Sequence, residues 1–286
     1  MGLFCLLIML LKVSEFKHGL TSFKTMALHV VLGFGLCILG EVKFVILVSP
    51  LLLAWVWLMP SYIKGMNNVN LKAILLIFIG MALLIAVAIT ILASGYSSAF
   101  GSDPTKSAMS VFLDSLSYIF DTNYIMESGE LGRLTTIFFW LENHDMWGLS
   151  GTLFGYGLNA TNSGSAVSPG FLNIIYNLII DSTSLSVLLW EVGVVGTLFF
   201  IGLIFYILII AQPKPVLDRN EIDQQDLQLL SFSPAFNVFA VGCLLSLPYS
   251  QILMIIPMLQ FLFYLSLGSS LVIRHSVHRY IGKPYE

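Results

Sequence analysis

Apolar residues in this chain fall into long runs separated by short charged punctuation. Met26 to Gly40 and Phe44 to Trp57 flank Glu41-Val42-Lys43, and this predicts a helical hairpin that turns at the charged triplet. Leu71 to Leu92 and Leu185 to Ala211 read as two further spans. Phe236 to Leu247 and Ile252 to Ile273 predict a final hairpin turning near Pro248-Tyr249-Ser250-Gln251. A membrane-crossing helix needs about 20 mostly apolar residues, so the pattern predicts an all-α, polytopic transmembrane helix bundle of about six or seven spans. Gly2 to Leu11 is short for a span and reads as tilted or interfacial. It lacks a basic n-region and a small-residue cleavage site, so no cleavable signal peptide is expected.

The stretch from Ser94 to about Ser184 breaks this rhythm. It is far more polar, yet it keeps helical spacing in places. Asp103 before Pro104 reads as an N-cap and first helical position, with Ala108, Phe112, Leu116 and Ile119 following along one face. A second helix is expected over Glu130 to Leu141, with Leu131, Leu134, Ile137, Phe138 and Leu141 on one side and Glu130 and Arg133 away from that stripe. Gly148 to Gly170 is rich in Gly, Ser, Asn and Thr and reads as loop. Phe171 to Ile180 is a short apolar piece placed to dip back toward the membrane.

Composition sharpens the class. Of 286 residues, 57% are hydrophobic and 10% charged, whereas soluble domains carry about 25% charged residues. The net charge of −3 argues against a nucleic-acid partner. Lys and Arg orient the bundle. Lys12, Lys17, Lys24, Lys64, Lys72, Lys214, Arg219, Arg274, Arg279 and Lys283 all fall on one side of a six-span count from Met26, which is then cytoplasmic. The long polar segment faces outward and holds just two basic residues, Lys106 and Arg133. The expected organisation is therefore N-terminal transmembrane helices over 1–93 and a large helical outer (periplasmic) loop over 94–184. C-terminal transmembrane helices follow over 185–273 with a cytoplasmic loop at 212–232, and then a cytoplasmic tail at 274–286. Cys5, Cys37 and Cys243 lie in apolar runs without metal-ligand spacing and read as small core residues.

Candidate chemistry concentrates between Gly132 and Gly196. Arg133 can grip a diphosphate bidentately as Lys cannot, or it can pair with Glu130 on the surface. The glycines of Phe154-Gly155-Tyr156-Gly157 permit positive φ and close approach of a ligand, or make an ordinary turn. Glu191 stands at the mouth of a span, where a carboxylate is costly and belongs to a functional site, a structural network or the interface. Gly193 and Gly196 beside it favour close helix packing. Asp181-Ser182-Thr183-Ser184 either caps the next helix, with Ser182 or Ser184 as N-cap, or offers a sugar-binding set with Asp181 as base. His144 near Glu142 and Asp145 reads as solvated loop, and no metal is expected. His275 and His278 are given no catalytic role.

The succession Gly132-Arg133-Leu134, a Gly-x-Gly turn at Gly155 and Gly157, and Glu191-x-Gly193-x-x-Gly196 at a span entrance resembles the O-antigen polymerase and ligase family. These are bacterial membrane glycosyltransferases of surface-polysaccharide assembly. The turn at Leu39-Gly40-Glu41-Val42-Lys43 is similar to an acidic-basic turn upstream in such chains, and the resemblance extends over Met26 to Ile273. It implies a multi-pass protein of the bacterial inner membrane that polymerises or ligates undecaprenyl-diphosphate-linked oligosaccharide units of O-antigen, capsule or exopolysaccharide. No cofactor or metal is implied. The implied partners are the lipid-linked glycan, membrane lipid and other polysaccharide-assembly proteins. Arg133 matches the Arg that handles the diphosphate. Glu191 and Asp181 would orient or deprotonate the acceptor, and Gly155, Tyr156, Gly157, Ser182 and Thr183 would shape the sugar site. Family members often carry a His-Asn pair where Ser182 and Thr183 stand here, and the missing His points to polymerase-like members rather than ligases. The chain is shorter than typical members, so a shortened member is expected. The readings from other classes are a lipid-linked glycan transporter or flippase and a non-catalytic assembly subunit. The spans' low charge disfavours an ion-coupled transporter.

Overall fold

The apolar runs fold as helices, with ends that sequence pattern alone places differently. The computed structural model describes residues 2–40, 42–66, 75, 78–80, 82–91, 110, 119–164 and 168–281. Helix α1 spans Gly2–Lys17, α2 Phe23–Leu39 and α3 Lys43–Leu58. Next come α4 (Thr135–Asn143), α5 (Leu149–Phe154), α6 (Phe171–Tyr176), α7 (Ser184–Glu191) and α8 (Gly193–Ile210). A 3-10 turn at Arg219–Glu221 precedes α9 (Gln224–Ser246), α10 (Ile252–Ile255) and α11 (Pro257–Ile281). Among the described residues the fold is all-α, with three isolated β-bridges and no strand. Helices α8 and α9 are long and apolar enough to cross a membrane, by length and composition. Three shorter apolar helices are α2, α3 and Phe78–Ile91. The predicted helix from Asp103, with Ala108, Phe112 and Leu116, lies outside the described residues, as do parts of the expected span Leu71 to Leu92 and of the tail.

Several expected elements are corrected. The span expected over Leu185 to Ala211 is two helices, broken between Glu191 and Gly193. The span expected over Ile252 to Ile273 breaks at Ile256, which is extended (φ −96°, ψ 107°). Pro257 follows it, and a residue before proline is pushed out of the α region. Helix α11 then runs through Arg274 to Ile281 without stopping at Ile273. The polar stretch expected as loop up to 232 is already helical from Gln224.

The chain divides into two compact units, one of Met1–Ala108, Tyr206–Cys243 and Phe261–Glu286, the other of Met109–Phe205 and Leu244–Gln260. In the first, α1 packs on α2 and α3. Cys5, Cys37 and Cys243 are buried. Gly33 lets α2 approach α1 closely, since a Cβ there would lie 2.8 Å from the Met9 side chain. Lys17 ends α1 by donating to the carbonyls of Val56 and Met59 at the end of α3, where the helix dipole favours a cation.

His18 completes this corner. Its Nδ1 donates to the Ser14 carbonyl at 2.7 Å, so its Nε2 is the acceptor for the Ser61 hydroxyl, also at 2.7 Å. Ser61 in turn accepts from the Ile63 amide. This arrangement fits neutral imidazole, one ring nitrogen donating and the other accepting. Burial, and secondarily the charges of Lys17 and Arg219, pull the His18 pKa down from 6.5 to about 4, against the raising effect of the Ser14 carbonyl. Between those two values the unfolded chain takes up a proton that the native state refuses. The contribution is therefore complete above pH 6.5 and is lost as pH falls toward 4. A shift of this size corresponds to about 3 kcal/mol. Thermal unfolding in detergent should show stability falling through that window, with a flatter profile in His18→Gln. An unchanged pH profile in the variant would refute the assignment.

Candidate functional site

The second unit holds every residue singled out between Gly132 and Gly196. Its core is aromatic. Trp190 is fully buried, with Tyr156 at 5.5 Å and Tyr176 at 5.9 Å between ring centroids, and Phe139 meets Tyr176 edge-on at 5.0 Å. Leu131, Trp140, Leu172 and Ile180 are buried in the same cluster. The Tyr156 hydroxyl donates to the His144 carbonyl at 2.6 Å.

Arg133 is not on a helix. The expected helix over Glu130 to Leu141 starts only at Thr135, because the preceding backbone is committed elsewhere. The Leu131 amide bonds to the Ile179 carbonyl and the Gly132 amide to the Tyr124 carbonyl. The buried face also differs from the expected stripe. Thr135, Thr136 and Trp140 face inward, whereas Phe138 and Leu141 are exposed. The Thr136 hydroxyl donates to the Ile180 carbonyl at 2.9 Å, which fixes α4 against the segment that leads into Asp181. Arg133 then reaches across to donate to the Ser182 carbonyl, and it also pairs with Glu130 at 3.4 Å. Its side chain remains 22% exposed.

Asp181 and Glu191 both face one loop. Glu191 Oε1 accepts from the Thr161 hydroxyl at 2.9 Å and from its amide at 3.3 Å. Asp181 Oδ2 accepts from the Ser163 hydroxyl at 2.7 Å and from its amide at 3.3 Å. Two carboxylates ten positions apart on one strip of chain thus clasp residues two apart on another. Asp181 is 3% exposed, and its second oxygen, Oδ1, has no hydrogen-bond partner among the described residues. A buried carboxylate oxygen left unpaired costs about 1–3 kcal/mol or more, which makes Oδ1 available to a donor from outside the chain. Ser163 is exposed and Thr161 buried, so the clasped loop runs from interior to surface.

The hydroxyl run beside Asp181 does structural work. Thr183, not Ser182 or Ser184, is the N-cap of α7, in a reciprocal capping box with Ser186. Ser182 is buried and donates to the Leu131 carbonyl at 2.6 Å, and Ser184 donates to the Ser250 carbonyl at 2.7 Å. Thr183 has an extended backbone (φ −134°, ψ 150°) and its side-chain oxygen is available, whereas Ser184 is already the first helical residue.

The Gly-x-Gly turn meets its own chain closely. Tyr156 donates its amide to the Trp190 carbonyl at 2.8 Å and Gly157 to the Glu191 carbonyl at 3.1 Å. Gly155 (φ 76°) and Gly193 (φ 69°) touch backbone to backbone: a Cβ on Gly193 would sit 2.5 Å from the Gly155 nitrogen and the Leu153 carbonyl. This contact sits at the break between α7 and α8 and fixes Glu191 at the end of α7. Part of the expected loop Gly148 to Gly170 is the short helix α5, and of the apolar piece Phe171 to Ile180 only Phe171–Tyr176 is helical, as α6, with left-handed Asn177 as its cap. His144 pairs its Nδ1 with the Thr152 hydroxyl at 2.8 Å.

A separate open cleft of about 330 Å³ lies in this unit, lined in part by Asn123, Leu131, Thr135, Phe138, Phe139 and Glu142. It adjoins the Arg133 segment through Leu131 and does not include Arg133, Asp181 or Glu191. Sequence reasoning did not pair Thr161 with Glu191 or Ser163 with Asp181, because hydroxyls in a Gly/Ser/Asn-rich stretch carry no periodic signal. It also passed over His18 and Ser61 in the first unit, which have the spacing of a hydroxyl and its base. Both of those are buried, at 1% and 0% exposure, and serve the packing described above. No protein-family model, curated protein or solved structure matches this chain.

Proposed function

We propose that the chain is a metal-independent membrane glycosyltransferase of the O-antigen polymerase and ligase type, acting on glycans carried by undecaprenyl diphosphate, with polymerisation favoured over ligation. The observation that carries this reading is the gathering of Arg133, Asp181 and Glu191 in one unit. Arg133, a partly exposed cation, donates to the backbone beside the buried carboxylate, and both carboxylates hold the same loop. In the proposed reaction an acceptor hydroxyl attacks the anomeric carbon of the donor glycan. The anomeric C–O bond to the diphosphate breaks, and the diphosphate leaves with that electron pair. Such a reaction demands charge stabilisation and positioning above all. Arg133 would turn from Glu130 toward the diphosphate, and Asp181 Oδ1 would take the acceptor proton. Glu191 would act by positioning the Thr161–Ser163 loop. The multi-pass topology in a bacterial inner membrane, with this unit facing outward, belongs to the same proposal.

A second reading has an observation of its own. Arg133 already has two protein partners, Glu130 and the Ser182 carbonyl, which suits a non-catalytic assembly subunit in which the same residues only brace the fold. Deleting the gene in its source organism and profiling surface polysaccharide on gels separates the readings. Single repeat units indicate a polymerase, unattached polymer a ligase, and accumulated precursor on the inner face a transporter. An unaltered profile indicates the assembly subunit. Complementation with Asp181→Asn, which keeps the shape and the Ser163 contacts, should fail to restore polymer if Oδ1 takes the proton. Full restoration would remove Asp181 from the mechanism.

A further inference from the structure

The stretch from Met146 to Ile180 contains no Asp, Glu, Lys, Arg or His, although the segment around it is acidic. Inside it, Leu149 (72% exposed), Phe154 (66%) and Leu158 (82%) turn large apolar side chains outward, with Trp147 at 57%. A surface of this kind in contact with water is rare. The Gly155–Gly193 contact fixes where it lies. Gly193 is the first residue of α8, whose Val195, Leu198 and Phe199 are exposed at that end. At about 1.5 Å per residue, 18 residues cover about 27 Å, close to the ~30 Å of bilayer hydrocarbon, so a crossing α8 has almost no slack and its first residue sits at the boundary. Gly155 touches Gly193 and therefore sits at the same depth. The apolar side chains on either side of Gly155 are exposed at that level, and Trp147 is the residue type enriched there.

We infer that residues Trp147 to Leu158 form an interfacial element that lies in the headgroup region of the bilayer, against lipid, at the Gly193 end of α8. It rests on α8 crossing the bilayer and is independent of the chemistry proposed for Arg133. The absence of charge suits lipid acyl and carbonyl groups. The element ties the Glu191 end of α7 to the membrane surface, the level at which a lipid-linked substrate presents its headgroup.

The three native cysteines are buried, so single introduced cysteines can be labelled selectively on the full chain. Phe154→Cys and Leu158→Cys would carry an environment-sensitive fluorophore, in vesicles of phosphatidylcholine and phosphatidylglycerol. Leu198→Cys serves as a lipid-facing reference and Glu127→Cys as a water-facing one. Labels at 154 and 158 should be quenched by nitroxide lipids at least about twofold more than the label at 127, and more by a shallow nitroxide than by a deep one. Quenching by aqueous iodide to the level seen at 127 would overturn the inference. So would shielding from both quenchers together with cross-linking between labelled copies, which would assign the surface to a second copy of the chain. Two positions guard against a variant that does not fold, and elution as a single species in detergent verifies each.

Discussion

Arg133→Ala is expected to reduce polymer formation by about a hundredfold, the scale seen when one donor to developing negative charge is removed from an active site. Membrane abundance should change little. The Ser182 carbonyl that Arg133 bonds belongs to a backbone held independently: the Ser182 hydroxyl donates to Leu131, and Thr136 anchors the neighbouring Ile180 carbonyl. Loss of the guanidinium therefore leaves the local fold with two other ties. Arg133→Lys should likewise leave abundance unchanged and recover activity only in part, because an ammonium lacks the planar fork that grips two phosphate oxygens. Glu130→Gln frees Arg133 from its ion pair and should leave activity intact or raise it. The measurement is polymer per unit of protein in a deletion strain complemented with each variant. Wild-type polymer from Arg133→Ala would assign Arg133 to bracing alone and favour the non-catalytic subunit.

Gly193→Ala is expected to cause the largest loss of stability among single-methyl changes in the second unit. The residue has φ 69°, where a Cβ costs about 1–3 kcal/mol. The same Cβ would fall 2.5 Å from the backbone of Leu153 and Gly155. Backbone cannot rotate aside as a side chain can, so overpacking adds about 1–3 kcal/mol more. The total is enough to unseat the α7–α8 break in a protein of ordinary stability. Gly155→Ala should behave alike, since its Cβ would meet the Glu191 carbonyl and the Gly193 nitrogen. Gly202→Ala is the control: nothing lies within 4 Å of its Cβ, and alanine is the better helix former. Thermal denaturation in detergent should show Gly193→Ala and Gly155→Ala well below wild type and Gly202→Ala at or above it. Equal midpoints for all three would mean that the glycine contact does not hold the break.

The candidate site was legible by residue type and illegible by arrangement. Arg133, Asp181 and Glu191 were marked because charge is scarce here and costly near lipid. What they touch was hidden. Arg133 reads as one helical turn from Glu130, and the pair does form, but through a turn that precedes α4. The glycines at 155 and 157 read as room for a ligand, and the room at Gly155 is filled by the protein's own backbone. The pairing of Thr161 with Glu191 and of Ser163 with Asp181 gave no signal, since it exists only when a distant carboxylate arrives beside each hydroxyl.

The sequence by itself determined that the chain is helical and apolar, where most of its apolar helices run, and that its unusual polar residues crowd between Gly132 and Gly196. Those follow from local physics: hydrophobic runs, helix periodicity, and the cost of charge in an apolar setting. Tertiary structure alone decided that Leu185 to Ala211 is two helices. A positive φ at Gly193 is tolerated because Gly155, some forty residues earlier in the chain, offers a bare backbone to pack against. It alone decided which face of α4 is buried, because Trp140 is buried and Thr136 bonds the Ile180 carbonyl while Phe138 and Leu141 are exposed. It also gave Asp181 and Glu191 a common loop. Contacts between residues far apart in sequence leave no periodic trace along the chain, and the site consists of such contacts.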